Sequence, residues 1–115
     1  MWWRVAGIAG AIGVLLGAFG AHGLKNVVTD PHLLEVWETG ARYHLIHALA
    51  LCAVAAHPAR PRWAGIAFVA GMLLFSGSLY LMTLTGMRWL GAITPLGGIA
   101  FITGWILLAA RAPRT

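Results

Sequence analysis

Apolar and polar positions divide this chain into four long apolar runs joined by short polar stretches. The first runs from Trp2 or Val5 to about Ala21 and the second from Tyr43 to Ala56. The third spans Trp63 to Thr85, and the fourth about Trp89 to Ala110. A helix that crosses the hydrocarbon of a bilayer needs about 20 residues at about 1.5 Å each. The third and fourth runs meet that length, and the first does so with its flanks included. The second is short alone, but the residues before it extend it. Asp30 followed by Pro31 is a helix start, with a carboxylate as N-cap and a proline at the first helical position. Beyond it, Leu33, Leu34, Trp37 and Ala41 share one face, while His32, Glu35, Glu38, Thr39 and Arg42 lie elsewhere. That pattern suits a helical stretch at headgroup level, with Gly40 as the expected bend into the span proper.

The fourth run has two readings. Thr94-Pro95 as cap and first helical residue gives a helix over Pro95–Ala110 after an interfacial turn from Arg88 to Ile93; the alternative is a longer helix bent near Pro95. At the other end, Arg4, an apolar run and small residues from Ala18 to Ala21 have the outline of a signal peptide. The apolar run is long for one, and a retained first span is expected. The pattern therefore predicts an all-α fold: an integral membrane four-helix bundle in one domain over residues 1–115, with a short interfacial helical stretch before the second span.

Composition agrees. Of 115 residues, 60% are hydrophobic and 10% charged, against about 25% charged in soluble domains. The formal net charge is +5, yet the basic residues stand singly or in pairs at the edges of apolar runs, where lipid headgroups lie. They form no stripe that could follow a phosphate backbone, which excludes nucleic acid as a partner. Cys52 is the sole cysteine, so no intrachain disulfide is possible, and its apolar surroundings make it a small packing residue.

With four spans, the N-terminus, the connection between the second and third runs, and the C-terminus share one side. That side carries Arg4, Arg60, Arg62, Arg111 and Arg114; the other carries Lys25, Arg42 and Arg88 with all the acids, Asp30, Glu35 and Glu38. Five basic residues against three place both termini in the cytoplasm. Trp2, Trp3 and Trp63 mark one interface, and Trp37 and Trp89 the other.

Lipid tails supply no hydrophobic force between helices, so close backbone approach matters more. Gly7, Gly10, Gly13, Gly17, Gly20 and Gly23 recur every three or four residues, a groove for another helix of the bundle or, alternatively, for a ligand or a neighbouring subunit. The third run offers Gly71, Ser76, Gly77 and Ser78, and the fourth Gly97, Gly98 and Gly104.

The polar residues gather toward one membrane face. His22 and Lys25 lie at the outer end of the first helix, and Glu38, Arg42, Tyr43, His44 and His47 at the outer start of the second. Ser76, Tyr80 and Thr83 fall on one face of the third, and Thr94 opens the fourth. A ligand- or partner-binding site is therefore expected near the outer leaflet, built from His22, Lys25, Glu38, Arg42, Tyr43, His47, Ser76, Tyr80 and Thr94. His22, His44 and His47 could together offer imidazoles to zinc, copper or haem iron. The competing reading has each histidine hydrogen-bonded to a neighbouring carbonyl or hydroxyl such as that of Tyr80 or Ser76. Glu38 and Arg42, four apart, could pair, and Arg42 could equally contact a lipid phosphate. With few acids, all in one stretch, no serine–histidine–acid triad forms, and the glycines are helically spaced rather than gathered in a phosphate loop. His32 and His57 are read as solvated loop residues.

Four segments carry a resemblance. Leu16-Gly17-Ala18-Phe19-Gly20-Ala21-His22-Gly23-Leu24-Lys25, Thr39-Gly40-Ala41-Arg42-Tyr43-His44-Leu45-Ile46-His47-Ala48-Leu49-Ala50, Phe75-Ser76-Gly77-Ser78-Leu79-Tyr80 and Leu90-Gly91-Ala92-Ile93-Thr94-Pro95-Leu96-Gly97-Gly98 resemble, in that order, an uncharacterised membrane family. It is domain of unknown function 423, with YgdD- and YwdK-like bacterial proteins and the related eukaryotic transmembrane protein 256. The resemblance implies a small, four-spanning protein of the bacterial plasma (inner) membrane, and it carries no reaction, substrate, cofactor or catalytic residue. At His44 the family often has a polar residue such as glutamine, which speaks against a metal site that needs His44. The expectation is a binding protein rather than an enzyme, with membrane lipids, another hydrophobic molecule, a second copy of the chain or another membrane protein as partner. A metal- or haem-binding redox accessory protein and a small oligomeric transporter subunit are the alternatives.

Overall fold

The structure, a computed structural model, describes residues 1–111; Arg114 of the charge comparison lies outside the described residues. Four helices carry the chain: α1 (Trp2–Ala21), α2 (Pro31–Ala56), α3 (Arg62–Thr85) and α4 (Thr94–Ala110). No strand occurs among the described residues. Short 3-10 turns at Leu24–Asn26 and Arg88–Ala92 lead into α2 and α4. α1, α3 and the segment Arg88–Ala110 are each long and apolar enough to cross a membrane. α2 is more polar at its start but has 26 residues, about 39 Å of helix, and it is the inner helix. Nine of its residues are buried, against two in α1.

The expected start of α2 is present: the Asp30 carboxylate accepts the His32 N–H at 2.9 Å, with Pro31 opening the helix. The expected bend at Gly40 is not, because α2 runs unbroken from the polar stretch into the apolar one. Glycine weakens a helix by about 1 kcal/mol, but here close packing holds it. A Cβ on Gly40 would lie 3.3 Å from both Leu79 and Tyr80, so its absence lets α3 approach. α4 follows the shorter of its two readings, beginning at Thr94 after the 3-10 turn, with Ile93 rather than Thr94 in the capping position.

α3 contains one irregular turn, a π segment over Met72–Ser76. Its buried positions Ala64, Phe68, Met72 and Ser76 are spaced by four, a spacing that drifts around a regular helix of 3.6 residues per turn. The wider turn absorbs the drift, so one face of α3 stays inward along its length.

α3 and α4 run antiparallel along a seam of phenylalanines set against glycines. Phe68 faces Gly104, Phe101 faces Gly71, and Phe75 faces Gly97; a Cβ on any of these glycines would collide with its partner. One step further, Ser78 meets Thr94 at 2.6 Å. Moving three, four and three residues up α3 moves three, four and three residues back along α4, so a single register serves every pair. Phe68, Met72 and Phe101 join Leu51 and Val54 of α2 in the main core. α1 stands apart from this seam. Only Gly13 and Gly20 of its glycines lie tight against α2, while Gly7, Gly10 and Gly17 face open space. The expected intramolecular groove of six glycines is thus filled by α2 at two positions and unfilled at three, and Gly23, past the end of α1, lies against Phe19.

Candidate functional site

Two rungs join α2 to α1. The Trp37 indole N–H donates to the Leu16 carbonyl at 2.8 Å, and His44 Nε2 donates to the Ala9 carbonyl at 2.9 Å. Donors and acceptors are each seven residues apart. Inside a helix each carbonyl already accepts the amide four residues on, and these two positions are Gly20 and Gly13. Lacking Cβ atoms, the two glycines leave room for the rings: one on Gly20 would meet Trp37, and one on Gly13 would lie 3.2 Å from the His44 ring. The glycines of α1 thus serve to expose carbonyls as well as to bring backbones close.

Two further rungs join α3 to α2, again seven residues apart on each helix. The Ser76 hydroxyl donates to the Gly40 carbonyl at 2.7 Å, and the Thr83 hydroxyl, sharing its one hydrogen with the Leu79 carbonyl of its own helix at 2.9 Å, reaches the Leu33 carbonyl at 3.1 Å. Interhelical bonds of this kind contribute about 0.6 kcal/mol each in membrane proteins. Their geometry fixes which helix faces which.

His44 joins the two sets of rungs, and His47 links α2 to α4. Since the Ala9 carbonyl can only accept, His44 carries its proton on Nε2, and Nδ1 accepts the Tyr80 hydroxyl at 3.0 Å. His47 takes the opposite tautomer. Its Nδ1 donates to the Tyr43 carbonyl at 2.7 Å, and Nε2 accepts the Trp105 indole N–H of α4 at 3.0 Å. The His47 ring lies flat on Phe101, with centroids 3.6 Å apart, and its walls are Phe68 and Trp105. All four ring nitrogens are engaged. The reading of the histidines as partners of neighbouring carbonyls and hydroxyls describes what is found, and Tyr80 is one of the partners named for it. His22, the third metal candidate, stands apart at the exposed end of α1, bonded to the Ala18 carbonyl. Among the described residues no group of three or more His, Cys, Asp or Glu side chains could hold a metal ion.

The nine candidate binding residues therefore divide. His47, Ser76, Tyr80 and Thr94 belong to the interior network, Thr94 through Ser78. Tyr43 contributes its carbonyl to that network while its half-exposed ring packs on Phe75. Lys25 and Glu38 instead line a charged cleft of about 480 Å³ between α1 and α2, with Glu35 and Trp37. Arg42 pairs with Glu38 at 3.3 Å, but both side chains are well exposed, and pairs of this sort contribute little. His22 joins neither group.

A second opening, of about 460 Å³, lies between α1 and α3. Ile8, Ile12 and Leu16 line one side, Val69 and Leu73 the other, and His44 with Tyr80 forms part of its wall. The polar atoms of these two rings turn to each other and to Ala9, so the surface offered is almost wholly apolar.

Sequence reasoning missed two participants. Trp37, read as an interface marker, is 3% exposed and packs against Tyr80 and Phe19. Trp105 in an apolar run carried no signal until a buried acceptor was found beside it. Trp3, Trp63 and Trp89 are exposed, as an interface position requires.

These features define a small multi-pass membrane protein in which the buried polar side chains join helices. The chain belongs to the family described as protein of unknown function DUF423, whose sequence pattern matches residues 16–98, the interval that holds all four motifs. It is 48% identical over 115 residues to the UPF0382 membrane protein YwdK of Bacillus subtilis, covering 91% of this chain and 93% of that one. A UPF0382 membrane protein of Schizosaccharomyces pombe is 44% identical over 110 residues, covering 90% and 93%. One from Staphylococcus aureus is 44% identical over 109 residues, covering 88% of each chain. No solved structure matches. The chain is accordingly a membrane protein.

Proposed function

We propose that this protein is a non-enzymatic membrane protein that holds a lipid or another hydrophobic molecule, with its alkyl part in the groove between α1 and α3. One observation carries the reading: an opening of about 460 Å³ between α1 and α3 whose surface is almost wholly apolar, unlike the charged cleft between α1 and α2. Volumes of this order suit a small hydrophobic ligand. In a bilayer such an opening is filled by hydrocarbon, and α1, joined to the bundle mainly through α2, leaves it accessible from the side. The charged cleft with Lys25, Glu35 and Glu38 offers both signs of charge at headgroup level, as a zwitterionic headgroup would require.

Gly77 lines the groove, and a Cβ there meets nothing closer than 3.9 Å. Gly77→Leu therefore fills the groove while improving helix propensity. Native mass spectrometry of gently extracted protein should show a retained hydrophobic molecule in the wild type and its loss in this variant. Equal retention in both would defeat the reading.

The open glycines Gly7, Gly10 and Gly17 support a second reading, in which another copy of the chain or another membrane protein packs on α1. We place the protein in the bacterial plasma membrane with both termini cytoplasmic. Arg4, Arg60, Arg62 and Arg111 fall at one end of the bundle by helix direction, and the acids fall at the other. Cysteines introduced at Arg60 and at Lys25, in a Cys52→Ser background, should label from opposite sides of intact cells; labelling from one side removes the four-span topology.

A further inference from the structure

At the membrane face opposite the charged cleft, the start of α3 and the end of α4 enclose a cavity of about 240 Å³. Arg60, Arg62 and Arg111 all line it, alongside Trp63 and Leu107. The chain's three acids are Asp30, Glu35 and Glu38, all at the far end of α2, and the one ion pair among the described residues is Glu38–Arg42. Three exposed arginines therefore line one small space, the Arg62 guanidinium 5.5 Å from the centre of the Trp63 ring at its rim, with no carboxylate among the described residues to answer them. Two helix ends of opposite polarity also border the cavity, the first-turn amides of α3 and the last carbonyls of α4. Their fields oppose each other, and the arginines decide the sign. Trp63 at the rim is 61% exposed, which suits the headgroup layer.

We propose that this cavity binds a phosphate-bearing anion, and that the anion is the headgroup phosphate of an anionic phospholipid. Guanidinium matches phosphate through paired N–H donors, and basic pockets between helices at the cytoplasmic surface suit such headgroups. Positive charge at this face also sets orientation, but orientation depends on the number of charges and not on their convergence upon one cavity. The space admits a phosphate and its ester oxygens, while the acyl chains stay in the bilayer beside Leu107. The proposal is independent of the α1/α3 groove.

Arg60 supplies a variant in which folding and binding separate. Its φ is 44°, a left-handed conformation that glycine adopts at no steric cost, so Arg60→Gly removes the charge and relieves the backbone. The full chain is placed in nanodiscs of equimolar phosphatidylcholine and phosphatidylglycerol, and retained lipid is read by native mass spectrometry. Phosphatidylglycerol should be retained in preference, about fivefold less in Arg60→Gly and again in Arg62→Gln. Combining both with Arg111→Gln should abolish the preference. Gly77→Leu should keep it, which separates this site from the groove. A preference unchanged in the triple variant, or none in the wild type, overturns the proposal. Displacement of the lipid by millimolar inorganic phosphate overturns its assignment to a headgroup; no displacement is expected.

Discussion

The two outer seams of this bundle are built on different principles. Between α3 and α4, phenylalanine rings from both helices enter spaces left by glycines on the other, and Phe68 and Phe101 are buried. Between α1 and α2, the main directional links are two ring N–H groups reaching two carbonyls, and α1 has just Ala6 and Gly13 buried. The first seam depends on shape, which fails abruptly when volume is added. The second adds to its glycine contacts at Gly13 and Gly20 a few bonds of about 0.6 kcal/mol each, which fail one at a time. α1 is thus the helix with the fewest buried residues, and it borders both the groove and the charged cleft.

The largest expected effect lies in the shape-dependent seam. A Cβ on Gly97 would fall on the backbone of Phe75, which no rotamer change relieves. Gly97→Ala should destabilise by about 2–3 kcal/mol, seen as a fall in the unfolding midpoint in detergent. Gly13→Ala is the matched test on the other seam. There the closest atom is the end of the Leu45 side chain at 2.7 Å, which can turn aside, so the loss should stay below about 1 kcal/mol. Equal losses would erase the distinction.

Next comes Trp105→Phe. It leaves His47 Nε2 without its donor in a buried aromatic setting, at a cost of about 1–2 kcal/mol, and His47→Phe made together with it should recover part of that loss. Additive losses in this double-mutant cycle would show that the bond contributes nothing. Smaller still, Trp37→Phe and His44→Phe should each lower stability by about 0.6 kcal/mol. Their sharper sign is local: amide exchange in α1 should quicken while that in α3 and α4 stays unchanged. Uniform quickening would mean that α1 is no more separable than the other helices. The smallest effect belongs to Gly17→Ala, which meets open space and should leave monomer stability within about 0.5 kcal/mol. A larger change confined to conditions that favour association would identify this face as a contact between copies.

Much of the architecture is legible in the sequence because it follows from local rules. α1 and α3 begin and end within a residue or so of the apolar runs, and Asp30-Pro31 starts α2 through a cap whose atoms are adjacent in the chain. What depends on neighbouring helices is less legible. Gly40 reads as a bend in isolation and becomes a contact once α3 lies against it. Trp37 reads as an interface residue because an indole suits the headgroup layer, yet the Leu16 carbonyl drew it inward. The clustering of polar residues at one face was visible, but its division into an interior network and an exposed cleft depends on the register between helices. The glycines of α1 show the limit most clearly. Their spacing announces a smooth face, yet nothing in it separates Gly13 and Gly20, which admit a ring, from Gly10 and Gly17, which do not.

The π turn of α3 ties these features together. One residue more than a regular helix would use is wound into Met72–Ser76. Below that turn α3 presents Phe68 and Gly71 to α4, and beyond it Ser78 still meets Thr94 of α4, while Ser76 at the end of the turn and Thr83 beyond it reach α2. Winding the same residues as a regular helix, with none removed, would rotate everything after the turn by about 100°. The hydroxyls would then sweep away from the α2 carbonyls, and Tyr80 would release His44 and with it the wall of the groove. The turn is in effect a shim that keeps two lengths of helix in phase with their neighbours, and losing it would disengage the far half from the bundle.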